Sequence, residues 1–154
     1  MGPQGTIVVG VDGSDCSRTA LEFALDEAVL RGAGVRVVAA APEADYWATS
    51  YGLSPSLLDE ITADLEKSAQ AMVDEVVRRR GGVVAEVAVS VRVLGGAPGR
   101  VLVDQSRDAD MLVVGHRGRG GIRSAVLGSV GLQCVLHAAV AVTVVRPVQE
   151  TATT

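Results

Sequence analysis

Aromatic residues are almost missing from this chain: one Phe, one Trp and two Tyr in 154 residues. Val, Ala and Leu must then fill the interior, which suits a valine-rich parallel sheet covered by Ala- and Leu-rich helices. Cysteine is equally scarce. Cys16 and Cys134 lie far apart without metal-ligand spacing, which leaves no disulfide framework to read. They are expected as reduced thiols in a cytoplasmic protein. No apolar run approaches the roughly 20 residues that span a bilayer, so no membrane association is expected. The opening MGPQGTIVVG has no basic start and no long apolar stretch, so no secretory signal is expected there. MGPQ reads as a frayed end. His116 and His137 are too isolated for a metal site, and no metal ligands are assigned. A net charge of -4 argues against nonspecific nucleic-acid binding, and 48% hydrophobic residues argue against disorder. The length suits a single domain over 1–154, with its core at about 5–148.

Acid is also missing locally. No Asp or Glu occurs between Asp110 and Glu150, a stretch that holds Arg117, Arg119, Arg123 and Arg146. A locally basic, glycine-rich segment in an acidic protein points to an anionic ligand of limited size. The RGRGG string alone, inside a folded pattern, is no RNA-binding segment.

Apolar runs and breaker residues divide the chain. TIVVGV (Thr6–Val11) reads as a buried strand, and DGSDCS as a turn and helix start. A helix from about Ser17 to Arg31 repeats Ala20, Leu21, Ala24, Leu25, Ala28 and Val29 with helical period. Val35–Ala41 is a second strand, followed by a long connection, PEADYWATSYGLSPS, with the only Trp and both Tyr. These aromatics suit either a ligand cover or an interface. A long helix from Pro55 to Arg80 buries Leu58, Ile61, Leu65, Met72 and Val76, and its spacing allows Asp74–Arg78 and Glu75–Arg79 pairs. Val87–Leu94 is the third strand and Pro98 to about Arg107 a short helix. Met111–Gly115 is the fourth strand, Ser129 to about Ala138 a helix, and AVTVVRP the fifth strand. Alternating strands and helices specify a parallel α/β sheet with helices on both faces.

Ligands of such sheets bind beyond the carboxyl ends of the strands, where the strand order reverses. Two loops should meet there: GVDGSDCS after strand one and GHRGRGGIRSAVLGSV after strand four. Glycines let a backbone approach phosphate closely, and a helix start attracts anions. Ser129 could both cap its helix and donate a hydroxyl. Asp12 faces the reversal point, and Arg117, Arg119 and Arg123 are candidate phosphate contacts. His116 suits the ligand or the surface equally. A Walker A loop is excluded because the chain has no Gly-Lys pair. The dinucleotide fingerprint fails because Arg123 occupies its last glycine position and the strand is the fourth.

What remains is Gly115-x2-Gly118-x9-Gly128-Ser129. In this spacing the sequence resembles the ATP-binding branch of the universal stress protein family. The resemblance covers nearly the whole chain: Thr6–Ser14, DADMLVVG (108–115) and VTVVRP also match. Val140-Ala141 stands where the family often has Cys-Pro. The resemblance implies a flavodoxin-like (Rossmann-like) five-stranded parallel sheet of order 3-2-1-4-5, with ATP, accompanied by Mg²⁺, across the strand ends. By position, Gly115, Gly118, Gly128, Ser129 and Val130 would cradle ribose and phosphates, with Val114 and Arg119 beside them. Gly10, Val11 and Asp12 would line the adenine side, and Val38 or Ala39, at the end of strand two, would border the base. It further implies a homodimer through the last strand, about Ala141 to Arg146. The expected role is a nucleotide-responsive stress or signalling factor. Slow ATP hydrolysis in the same pocket, or binding of another adenine nucleotide such as cyclic AMP, are the alternatives.

Overall fold

The computed structural model describes residues 2–117 and 127–147. Among these the elements run β1 (Thr6–Gly10), α1 (Asp15–Arg31), β2 (Gly34–Ala41), α2 (Ala44–Tyr51), α3 (Pro55–Arg80), a 3-10 turn (Gly82–Glu86), β3 (Val89–Gly95), α4 (Pro98–Gln105), β4 (Met111–Gly115), α5 (Ser129–His137) and β5 (Ala141–Val145). The strands form one parallel sheet in the order β3-β2-β1-β4-β5, as expected. In the register, Val9 lies between Val37 of β2 and Val113 of β4.

Successive side chains of a strand face opposite sides. Ile7, Val9, Val37 and Val113 join the apolar layer under α1 and α3, including Leu21, Leu25, Met72 and Val76. Val8, Val38, Leu112 and Val114 join a second layer with Val101 and Leu102 of α4 and Cys134 of α5. Because both faces are covered, β1 and β4 read as unbroken apolar runs rather than as alternating ones. Each fully buried Val or Leu in these layers is worth about 1.5–3 kcal/mol relative to exposure.

Local chemistry sets the ends of the helices. The Ser14 hydroxyl accepts from the Ser17 N–H at 3.2 Å, so α1 starts at Asp15, two residues before its expected start. Gly32 closes it with φ 65°, a left-handed conformation that suits glycine. Ser54 caps α3 in the same way, with Pro55 in its first turn. Val29 is exposed, not on the buried face of α1. Asp74 does not pair with Arg78; it accepts from Gln70. Glu75 does meet Arg79, and it also meets Arg18 of α1 at 3.1 Å.

Two further departures have physical causes. β3 starts at Val89 rather than Val87, because Gly82–Glu86 coil into a 3-10 turn and the Val87 N–H bonds the Val84 carbonyl. The connection after β2 contains α2, which buries no residue and so leaves no apolar period in the sequence. The ends of β1, α4, α5 and β5 fall one or two residues short of expectation. Among the described residues no helix is long and apolar enough to cross a membrane.

Candidate functional site

The strand order reverses between β1 and β4, whose following helices lie on opposite faces of the sheet. Ligands of open α/β sheets bind beyond the strand ends at such a reversal. Gly115, the last residue of β4, lies at this one. A Cβ there would lie 2.9 Å from the carbonyl carbon and oxygen of Cys16, so the first turn of α1 rests directly on this glycine. From the other face, the Cβ position of Gly131, in the first turn of α5, is 3.8 Å from the Gly115 oxygen. The starts of two helices thus flank one strand end. The N–H groups of a first helical turn lack partners within the helix, and the dipole there favours anions.

The two starts differ. Ser14 caps α1, and Asp12 holds Ser14: the Asp12 carboxylate accepts from the Ser14 N–H at 2.9 Å and from its hydroxyl. Ser17, buried to 4% exposure, donates its own hydroxyl back to the Ser14 carbonyl. Asp12 is exposed and also organises the helix start. In α5, Ser129 is the first helical residue and not the cap. Gly128 occupies the cap position, with no side-chain cap bond, so the expected Ser129 cap is corrected. Among the described residues, the α5 start is therefore the less satisfied of the two.

His116 ties the second loop together. Its N–H donates to the Val145 carbonyl at 2.9 Å, and its carbonyl accepts from the Gly128 N–H at 3.0 Å. The two ends of the glycine loop are thus pinned to each other and to β5. His116 is 7% exposed, with its ring 3.5 Å from the Arg146 guanidinium, so it is not a surface histidine. Sequence reading missed this clasp. Its backbone bonds leave no residue signature, and its side-chain partner lies 30 positions away.

Other expected site residues occupy varied places. Gly10 and Val11 lie where β1 gives way to its loop. A Cβ on Gly10 would meet Leu102 Cδ1 at 2.6 Å, so this glycine lets α4 approach the sheet. Val11 is buried, and its N–H donates to the Val38 carbonyl. Val38 and Ala39 are not at the end of β2, which runs on to Ala41; both are buried, on opposite faces of the sheet. The Val114 side chain is committed to the core, with Val130 packed against the same cluster. Gly118, Arg119 and Arg123 lie outside the described residues.

Electrostatics and thiol chemistry add two facts. Burial pushes the Cys134 thiol up to about 11, which keeps it neutral and inert. Among the described residues, no group of three or more His, Cys, Asp or Glu could hold a metal by itself. Tyr46, Trp47 and Tyr51 touch one another on α2, with Trp47 stacked on Tyr51 at 4.7 Å.

Residues 5–146 match the Universal stress protein family. Over 144 residues the chain is 37% identical to universal stress protein Rv1996 of Mycobacterium tuberculosis, covering 86% of this chain and 45% of that protein. The chain thus spans about half the length of the curated relatives it matches. The structure of the universal stress protein from Archaeoglobus fulgidus in complex with dAMP is 27% identical, with a TM-score of 0.63 over 92% of this chain and 97% of that one. A universal stress protein in complex with cAMP is 25% identical, with a TM-score of 0.59 over 94% of this chain and 98% of that one. With the fold and these likenesses in agreement, the chain belongs to the universal stress protein family.

Proposed function

We propose that this chain binds an adenine nucleotide across the ends of β1 and β4, with ATP as its ligand. The observation that carries this is the placement of Gly115 between the first turns of α1 and α5. Phosphate is the ligand that such paired helix starts suit, and Gly128, the cap residue of α5, has no side chain to compete for its amides. Relatives solved with dAMP and with cAMP support an adenine nucleotide. The arginines of the acid-free segment favour several phosphates, hence ATP over cyclic AMP. Mg²⁺ would arrive with the triphosphate, since it needs only one or two protein carboxylates; Asp12 and Asp15 are both exposed at this loop.

The chain works by holding the nucleotide. Asp12 of the first loop is engaged with Ser14, and efficient phosphoryl transfer needs a positioned nucleophile besides strong charge stabilisation. A held nucleotide shifts a population of conformers, and that is the stress or signalling output. The acting form is a homodimer through β5.

Calorimetric titration of the nucleotide-stripped chain with ATP and Mg²⁺, then with cyclic AMP in competition, tests this reading. Saturable binding at one site per chain, with ATP displacing cyclic AMP, is the expected result. Gly128→Glu should abolish binding in a chain that still folds. Unchanged ATP affinity in that variant would remove the loop from the site.

A further inference from the structure

Both tyrosines and the only tryptophan of this chain lie on one short helix that gives nothing to the core. α2 has eight residues, too few for a helix stable by itself, and none of them is buried. Of the chain's four aromatics only Phe23 packs against a core layer. Tyr46 and Tyr51 are 56% and 62% exposed. Trp47 stacks on Tyr51, and Tyr46 stands edge-on to both with ring centroids 6.3 Å apart, so the three rings hold one another in place. Leu57, in the first turn of α3, is a further exposed apolar side chain. Preordered aromatic side chains on a surface are what protein interfaces are enriched in.

This part of the molecule overhangs the sheet. β2 passes the chain to α2 at its carboxyl end, and α3 runs back from there towards the start of β3. With 26 residues α3 is about 39 Å long. The eight residues of β2 span only about 26 Å. Ala69, Met72, Val73 and Val76 join the core layer, whereas from Pro55 to Ser68 only Leu58 is buried, outside that layer.

Charge says what this overhang can take. No Lys, Arg or His occurs from Val37 to Glu66, a stretch that holds Glu43, Asp45, Asp59, Glu60, Asp64 and Glu66. It carries −6, against −4 for the whole chain. All six carboxylates are exposed, and none of them meets a base among the described residues. Such a surface repels phosphates, nucleic acid and anionic lipid. A second copy docked face to face would set acid against acid. A cationic segment is favoured twice, by the carboxylates and by the open faces of the rings.

We propose that α2 and the first half of α3 form a docking face for a basic segment of a partner protein, one that sets Lys or Arg beside apolar side chains. The apolar side chains of that segment cover the ring cluster, and its cations meet the surrounding carboxylates. The proposal is independent of the nucleotide reading.

Trp47 is the only tryptophan, so its emission reports on this face directly. The full chain is titrated with a synthetic amphipathic Leu-Lys peptide, its Leu-Glu counterpart and a Ser-Lys peptide of equal charge. The Leu-Lys peptide should shift the emission to the blue and saturate; the other two should not. Tyr46→Ala with Tyr51→Ala should weaken that binding at least about tenfold. Asp59→Lys with Asp64→Lys should do the same, while Glu22→Lys with Glu86→Lys, an equal change of net charge elsewhere, stays within about twofold. α2 buries nothing and Asp59 and Asp64 are exposed, so both face variants should keep the wild-type melting curve; if the tyrosine variant does not, the aspartate variant decides. No response to the Leu-Lys peptide overturns the proposal. So does an equal response to the Ser-Lys peptide, or an equal loss from the two lysine pairs, because affinity then follows charge alone. Full affinity in the folded tyrosine variant overturns it as well. A Trp47 shift on concentrating the chain alone would make the occupant a second copy, one with ATP a nucleotide, and one with phosphatidylserine vesicles a membrane; each of these, in place of a response to the Leu-Lys peptide, overturns the proposal.

Discussion

A methyl group on Gly115 would press against backbone, not against a side chain that can swing away. Its contacts are the carbonyl carbon and oxygen of Cys16, each at 2.9 Å, and α1 cannot yield there without lifting off β4. Gly115→Ala should therefore destabilise the fold by about 1–3 kcal/mol, the usual cost of overpacking a tight contact. The urea midpoint of the variant measures it; an unchanged midpoint would mean that α1 tolerates the shift. A second residue-scale expectation concerns acid. The Arg36 guanidinium forks onto Asp108, with contacts at 2.9 and 3.3 Å, and also donates to the Gln105 carbonyl. The Arg36 hydrogen bond first, and its charge second, hold the Asp108 carboxyl below the ordinary 3.8. The folded chain thus binds this proton less tightly than the unfolded one. The contribution is present above pH 3.8 and is lost as pH falls through the lowered folded value. Asp108 is exposed, so the effect on stability is small, and its titration is the better readout. In Arg36→Met the Asp108 carboxyl carbon should titrate at a higher pH by NMR; an unmoved curve would remove Arg36 as the cause.

At the scale of elements, the start of α1 joins stability to the site. Ser14→Ala removes the cap on the Ser17 N–H and also the hydroxyl that Asp12 accepts from. A loss of about 0.5–2 kcal/mol is expected, seen as a lower melting temperature. ATP affinity should fall with it, because the Asp12 carboxylate loses a partner that orients it. A weakened melt with full ATP affinity would separate Asp12 from the ligand. Such starts were legible, since DGSDCS before an apolar helical period is a strong local signal. The start of α5 was legible as a helix start but not in its detail. Ser129 reads as a cap by residue type, whereas the chain places the cap one residue earlier, at Gly128, with extended φ −62° and ψ 160°. α2 was not legible, because a helix without a buried residue carries no hydrophobic period and Gly52 and Pro55 both read as loop. The offset of β3 has the same origin. Val83, Val84 and Val87 are apolar, yet backbone hydrogen bonding and not hydrophobicity decides where the 3-10 turn gives way to strand.

For the whole molecule, the alternation of strands and helices announces a parallel sheet covered on both faces, while the strand order was legible only through the family resemblance. What alternation does not state is which apolar residues remain uncovered. On α5, Leu132, Val135 and Leu136 are 48%, 50% and 66% exposed, with the i, i+3, i+4 spacing of one stripe. The chain then passes directly into β5, among the described residues an edge strand with only β4 beside it. An edge with open backbone groups beside an apolar helix stripe invites a partner, and the homodimer proposed through β5 would supply one. Light scattering should accordingly give twice the chain mass at tens of micromolar. The double variant Val135→Glu, Leu136→Glu puts two charges into the stripe while leaving the buried Cys134 and Gly131 in place. It should raise the dimer dissociation constant at least about tenfold, since a desolvated, unpaired charge is costly at an interface. Its far-ultraviolet circular dichroism should match that of the wild type, because both side chains face solvent in the single chain. A wild type that scatters as a monomer would dismiss the dimer outright. A double variant that remains fully dimeric would leave the contact on the β5 edge alone, with the α5 stripe outside it.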